Sequence, residues 1–250
     1  MIEIVGFDLD GTLTVSKSRL SDEMSKCLSD LLSYKEVFVI SGGRYSQFET
    51  QFLSNLKIEE NKLKKLHLLP TCATVYYKWN DGWKELYKET LSEEEKRKIF
   101  EAFKVAFDKC GFVVPEKPLY GEIIEDRETQ ITFSALGQQA PIELKEKWDK
   151  DFSKRIEMMK VMIPLLPEFE VRAGGTTSID VTRKGIDKAY GIRKLMEQTG
   201  FKTNEIIFIG DALFEGGNDY PVTKTGVKCF PVTGPDETMF FIRKFINSIS

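Results

Sequence analysis

The chain has 250 residues, 41% hydrophobic and 30% charged, with a formal net charge of −3. That length allows one large domain or a core plus an inserted one, and the composition is that of a soluble globular protein. The acidic balance argues against a broad nucleic-acid-binding surface, and no apolar stretch is long enough to span a bilayer. The N-terminus lacks the basic segment and apolar core of a secretion signal, so a cytoplasmic location is expected. The four cysteines, Cys27, Cys72, Cys110 and Cys229, form no C-x-x-C pair. They read as free thiols in a reducing compartment. The single histidine, His67, reads as a partly buried strand residue. A Ser-His-Asp mechanism or a His-rich zinc site therefore has little to work with.

The first element is an apolar strand, Ile4-Val5-Gly6-Phe7, running into Asp8-Leu9-Asp10-Gly11-Thr12-Leu13-Thr14. Residues i and i+2 of a strand share one side, so Asp8 and Asp10 can reach one small volume. Two anions that close repel unless a cation joins them, and a divalent oxygen-seeking ion such as Mg²⁺ meets that need. The plainer reading of either Asp is an Asx turn. A helix follows from Ser21-Asp22-Glu23-Met24, with Met24, Cys27, Leu28, Leu31 and Leu32 on one side. Val37 to Ile40 is a short strand ending in Ser41-Gly42-Gly43, where Ser41 could donate to a phosphate or simply cap a helix. Gln47 to Leu56 reads as a helix, Leu66 to Leu69 and Thr74 to Tyr77 as strands. Asn80-Asp81-Gly82 between two tryptophans is a hairpin signal. This alternation argues an α/β fold with a largely parallel sheet.

The pattern changes near Gly82. Leu91 to Lys109 is a charged amphipathic helix opened by a capping box at Ser92. Residues 123–125 and 130–134 read as paired strands about Arg127. Ile142 to Met162 reads as mostly helical with a solvated Lys/Glu face, and 170–172 and 178–181 as two more strands. Residues 82–184 are therefore expected to form an inserted α+β cap, with 1–81 and 185–250 as the core. The core pattern resumes with a helix after Gly185-Ile186-Asp187-Lys188. The strand Ile206 to Gly210 then ends in Asp211, Gly216-Gly217-Asn218-Asp219 follows, and a last strand and helix close the chain. Two strands far apart in sequence end in Asp. Asp8, Asp10, Asp211 and Asp219 are thus the metal candidates, Asp219 as ligand, as support, or as an Asx turn.

The D-x-D-G-T-L-T segment resembles the haloacid dehalogenase superfamily. The resemblance implies a Rossmann-like parallel-sheet core of that type with an inserted cap. It also implies Asp8 as the nucleophile that forms an aspartyl phosphate, Asp10 as general acid/base, Ser41 as the second-motif hydroxyl and Lys188 as the balancing cation. Without it, Lys188 would read as an ordinary solvated lysine. The order of DLDGTLT, Ser41-Gly42-Gly43, the large insertion, Gly174-Gly175-x-x-Ser178-x-Asp180-Val181, Gly185-x-Asp187-Lys188 and Gly216-Gly217-Asn218-Asp219 resembles the eukaryotic-type phosphomannomutase family. It implies Mg²⁺, a sugar phosphate as the partner, and substrate contacts from Gly42, Arg127, Ser178 and Asp180. Ser178 and Asp180 share one strand face, as a common ligand needs, and as a satisfied surface pair would also. Three further arginine positions of that family fall here at Lys17, Gln138 and Lys145, and its Glu-Asn-Gly segment reads Thr71-Cys72-Ala73. Lys does not reproduce the bidentate contact of Arg with phosphate. The expected reaction is interconversion of mannose 6- and 1-phosphate, with a sugar-phosphate phosphatase as the alternative. Intact Asp8, Asp10, Lys188 and Asp211 argue against a non-catalytic sugar-phosphate-binding regulator. Two copies could pair as a homodimer, and neither nucleic acid nor membrane is an expected partner.

Overall fold

The computed structural model describes residues 1–15, 18–117, 120–174 and 176–249, and among the described residues there are eleven strands. They are β1 (Ile4–Asp8), β2 (Glu36–Ile40), β3 (Leu66–Leu69), β4 (Val75–Trp79), β5 (Trp83–Lys88), β6 (Ile124–Asp126), β7 (Ile131–Ser134), β8 (Phe169–Gly174), β9 (Ser178–Arg183), β10 (Ile206–Gly210) and β11 (Lys228–Pro231). The chain divides into two units, Met1–Lys88 with Ile186–Ser250, and Glu89–Gly185.

The first unit is built on a seven-stranded sheet of order β11-β10-β1-β2-β3-β4-β5. The five strands from β11 to β3 are parallel. Strands β1, β3 and β10 are buried along their whole length, as unbroken apolar runs covered on both faces should be. One face packs Phe7, Leu28, Leu32, Phe48, Phe52 and Ile242, the other Phe38, Ile40, Ile192, Leu195 and Phe208. Each such side chain contributes roughly 1.5–3 kcal/mol. Gly6 is required for this packing, because a Cβ there would fall 1.9 Å from the Phe38 ring. Because the five strands run the same way, their carboxyl ends share one edge, where ligands bind in open α/β sheets. Asp8 lies opposite Ile40, so Asp8 and Ser41 leave neighbouring strands at that edge.

The turn at Asn80-Asp81-Gly82 joins β4 to β5 as an antiparallel hairpin, with positive φ at Asp81 and Gly82 (50° and 117°). This corrects the expected boundary. Turn chemistry at 82 looked like the end of a domain, but β5 pairs with β4 in the core sheet. The inserted unit therefore runs from Glu89 to Gly185. The helix expected at 47–56 is also broken up. A turn Tyr45–Gln47 leads into a π-helical turn Phe48–Phe52 and a 3₁₀ turn Leu53–Asn55. Phe48 and Phe52 are fully buried, and the Leu53 N–H reaches back to the carbonyls of Phe48 and Glu49.

The second unit is a four-stranded antiparallel sheet, β6-β7-β9-β8. Ile131, Phe133, Ile179 and Val181 turn one face toward Phe103 and Phe107 of helix Glu93–Cys110 and Met158 and Met162 of helix Ser153–Met162. Ser92 and Glu95 cap the first of these helices reciprocally. The expected helix over 142–162 is two, Ile142–Trp148 and Ser153–Met162. At the break the Asp149 carboxylate accepts the backbone N–H of Lys154 at 3.0 Å and Nε of Arg155 at 2.7 Å. Arg155 also donates to the Gly174 carbonyl. Arg155 and Lys145 are thus buried rather than on a solvated face. All four cysteines are free, and among the described residues no helix is long and apolar enough to cross a membrane.

Candidate active site

Asp8, at the end of β1, is 3% exposed and Lys188 1%. Lys188 opens helix Lys188–Thr199, whose start is held by Asp187 accepting the Tyr190 N–H at 2.8 Å. Its Nζ donates to Asp8 Oδ1 and to Asp219 Oδ1, each at 2.5 Å. The other Asp219 oxygen accepts the Ala212 N–H at 3.0 Å. Asp211 follows β10 directly and accepts from Thr12 Oγ1 at 3.3 Å. One carboxylate oxygen from each of Asp8, Asp211 and Asp219 lies within 4.8 Å of the others. Gly11, at φ +83°, makes room for this, since a Cβ there would come 2.4 Å from Asp211 Oδ2.

The electrostatics follow from that crowding. Burial pushes Asp8 up to about 7, with Lys188 opposing and Asp219 reinforcing the shift. Asp211 is raised by burial and then by Asp219. Burial works against the charge of Lys188, but Asp8 and Asp219 outweigh it and hold the ammonium well above its usual range. Three carboxylates against one ammonium leave an excess of negative charge. An all-oxygen donor set of that kind fits a hard divalent cation. Asp8 and Asp211 are the best placed to hold it, because both Asp219 oxygens are already engaged.

Asp10, expected among the metal ligands, is outside this cluster. Its Oδ2 accepts Gln47 Nε2 at 2.9 Å and its Oδ1 accepts Gln51 Nε2 at 2.7 Å. The strand alternation that suggested one shared volume ends at Asp8, where the chain enters a turn closed by a bridge between Asp10 and Thr14. Ser41 Oγ accepts the Gly43 N–H at 3.1 Å, a local cap that leaves the hydroxyl hydrogen to donate. Gly42 faces open space at its Cβ position. The segment after β3 is a left-handed turn of three non-glycine residues, Thr71, Cys72 and Ala73, at φ 48°, 54° and 65°. Such residues cost about 1–3 kcal/mol each. They are held by Thr71 N–H on the Gly43 carbonyl and Cys72 N–H on the Ser41 carbonyl, both at 2.9 Å. Sequence reasoning passed over Gln47 and Gln51, whose only signal is a four-residue spacing beside Phe48 and Phe52.

In the second unit, Arg127, Ser178 and Asp180 belong to the polar face of the sheet. Glu125, Thr132, Asp180 and Arg172 lie side by side across its four strands. Asp180 accepts from Thr132 Oγ1 at 2.7 Å, and burial raises its pKa despite Arg127. Ser178 Oγ lies 3.1 Å from Ser134 Oγ, which also accepts from Gln138 at 2.5 Å. The Lys145 ammonium donates to the Gln138 carbonyl at 2.6 Å. Arg127 is paired with Glu125 through both Nε and a terminal nitrogen at 3.0 Å. Lys17 and Gly175 lie outside the described residues.

Residues 5–222 match the haloacid dehalogenase-like hydrolase family. The chain is 31% identical over 239 residues to a phosphomannomutase of Spinacia oleracea, covering 93% of this chain and 91% of the relative. It is 29% identical over 252 residues to a phosphomannomutase of Schizosaccharomyces pombe, covering 98% and 94%. Among solved structures it is similar to a truncated IMP-nucleotidase of Plasmodium falciparum, at TM-score 0.71 and 18% identity over 100% of this chain and 71% of that one. It is also similar to a haloacid dehalogenase-like hydrolase of Bacteroides thetaiotaomicron, at TM-score 0.67 and 18% identity over 98% and 100%. The structural likenesses bear on the fold alone. Taken with the matches in sequence, the chain belongs to the haloacid dehalogenase-like hydrolase family, in its phosphomannomutase-like group, and is an enzyme, a phosphotransferase or a phosphatase.

Proposed function

We propose that this is a Mg²⁺-dependent, cytoplasmic phosphoryl-transfer enzyme that acts on hexose phosphates through an aspartyl phosphate on Asp8. The observation that carries this reading is the buried cluster of Asp8, Lys188, Asp219 and Asp211. An Asp8 oxygen attacks phosphorus, and the bond from phosphorus to the sugar oxygen breaks. Asp10 protonates the departing oxygen and later accepts the proton of the incoming nucleophile. Lys188, fixed by Asp219, keeps positive charge beside the attacking carboxylate, and Ser41 donates to a phosphate oxygen. A Mg²⁺ held by Asp8 and Asp211 would supply the charge that keeps Asp8 ionised and would neutralise phosphate oxygens. Alignment with phosphomannomutases over nearly the whole chain makes mannose 6-phosphate to mannose 1-phosphate the first reaction to test.

Hydrolysis is the second reading, and the second unit favours it. A mutase needs a bisphosphate that turns around, hence a site for the distal phosphate. Here Arg127 is paired with Glu125, and Gln138 and Lys145 stand at two other arginine positions of the family. The deciding assay follows mannose 1- and 6-phosphate with Mg²⁺, with and without a hexose bisphosphate. Interconversion faster than phosphate release supports the mutase. Release without interconversion supports the phosphatase, and neither overturns the reading.

A further inference from the structure

Asp8 and Asp10 are two residues apart and meet different groups. Asp8 meets a buried ammonium, and Asp10 accepts from two side-chain amides. Gln47 Nε2 donates to Asp10 Oδ2 at 2.9 Å and to Gln51 Oε1 at 2.8 Å. Gln51 Nε2 donates to Asp10 Oδ1 and to Thr14 Oγ1, each at 2.7 Å. All four amide hydrogens are used, and each Asp10 oxygen receives one. Each oxygen keeps a second lone pair, so the two amides fix the carboxyl group and leave a place on it for the proton it transfers.

The rest of the fold makes this clamp rigid. Gln47 and Gln51 each precede a phenylalanine, Phe48 and Phe52, that is fully buried in the core. The turn carrying them cannot rotate without pulling those rings out. Gln51 lies within the π-helical turn, a form that recurs at functional sites, and Gln47 directly before it. Gln51 also holds Thr14, which bridges to Asp10, so both ends of the Asp10 to Thr14 loop are fixed together. Gly43 fits the same arrangement. Its φ is not in the left-handed region, yet a Cβ there would lie 2.2 Å from Gln47 Oε1. A side chain at 43 would push Gln47 off Asp10.

We propose that Gln47 and Gln51 are positioning residues that hold the Asp10 carboxylate apart from the Asp8, Asp211 and Asp219 cluster and aim it at the departing oxygen. The proposal rests on the phosphoryl-transfer reading above. In that step the bond from Asp8 to phosphorus forms and the ester bond breaks. Its electron pair stays on the sugar oxygen, which takes a proton from Asp10. A p-nitrophenolate leaving group needs no proton. Misaiming Asp10 therefore slows cleavage of a sugar phosphate and spares cleavage of p-nitrophenyl phosphate, which a general loss of structure would not do.

The test is single-turnover cleavage by the full chain with Mg²⁺, comparing a hexose 6-phosphate with p-nitrophenyl phosphate. The variants are Gln47→Leu, Gln51→Leu and Gly43→Ala, with Asp10→Asn as reference. The ratio of the two rates should fall about ten- to a hundred-fold for each glutamine, the size of one charge-assisted hydrogen bond. Gly43→Ala, which keeps both amides, should follow Gln47→Leu and carries the test if a leucine variant fails to fold. An unchanged ratio in these variants, beside a selective fall in Asp10→Asn, overturns the proposal and leaves the function standing. No selective fall in Asp10→Asn itself overturns the role of Asp10 and this proposal with it.

Discussion

At the strand ends of the first unit three carboxylates crowd onto one ammonium, whereas on the polar face of the second unit Arg127 and Arg172 each stand beside a glutamate two residues earlier. The first arrangement is electrostatically incomplete. Burial and Asp219 drive Asp8 toward its protonated form, an excess that a divalent cation would relieve. The second is largely complete within itself. Its central strands present Thr132, Ser134, Ser178 and Asp180, already joined by hydrogen bonds. Burying a charge is tolerable only where a partner waits. The first unit therefore carries unbalanced charge that a cation would offset, whereas the charges of the second are already paired.

The largest break in this comparison is Asp8→Asn. It should lower turnover of every phosphate ester by several powers of ten while leaving a folded protein. Near-normal turnover in the folded variant would remove Asp8 as nucleophile. Arg127→Ala sharpens the other side. If Arg127 leaves Glu125 to hold a distal phosphate, its loss should cost about one to two powers of ten on hexose phosphates. A small ester without a sugar should be unaffected. Equal losses on both esters would make Arg127 a support of the fold.

The smallest effect is thermal. Folded Asp8 keeps its proton to about 7, against an ordinary 3.8. Between those values the folded state binds more protons than the unfolded one, so stability falls as pH rises through that window. In chelator, wild type should lose a few degrees relative to Asp8→Asn between pH 5 and pH 7.5. Mg²⁺ should restore most of that loss. A difference in melting temperature that does not change with pH would mean that Asp8 carries no such strain.

Much of this was legible in the residues. Apolar runs ending in Asp8 and Asp211 announce strands of a parallel sheet and carboxylates at one edge. Lys188 was legible only through family resemblance, since a lysine at a helix start is ordinarily solvated. The surroundings of Asp10 were not legible. They depend on a π-helical turn created by burying Phe48 and Phe52, and no local pattern encodes it. Lys145 and Arg155 were misread for a similar reason. A Lys/Glu-rich helix looks solvated until distant groups, the carbonyls of Gln138 and Gly174, claim its cations. The boundary near 82 was misplaced because a hairpin turn and a domain junction share the same turn chemistry.

The position of β1 has a consequence for synthesis. It pairs with β2 on one side through Ile4 and Glu36, and with β10 on the other through Ile4 and Ile206. As the chain leaves the ribosome, β2 arrives early, but the whole inserted unit emerges before β10. At about 5–20 residues per second, one edge of the central strand waits several seconds or more without its partner. An apolar unpaired edge is a template for association between chains. The strand that bears Asp8 therefore spends that time with one edge unshielded, and the later of its two pairings is the one that brings Asp211 to the site.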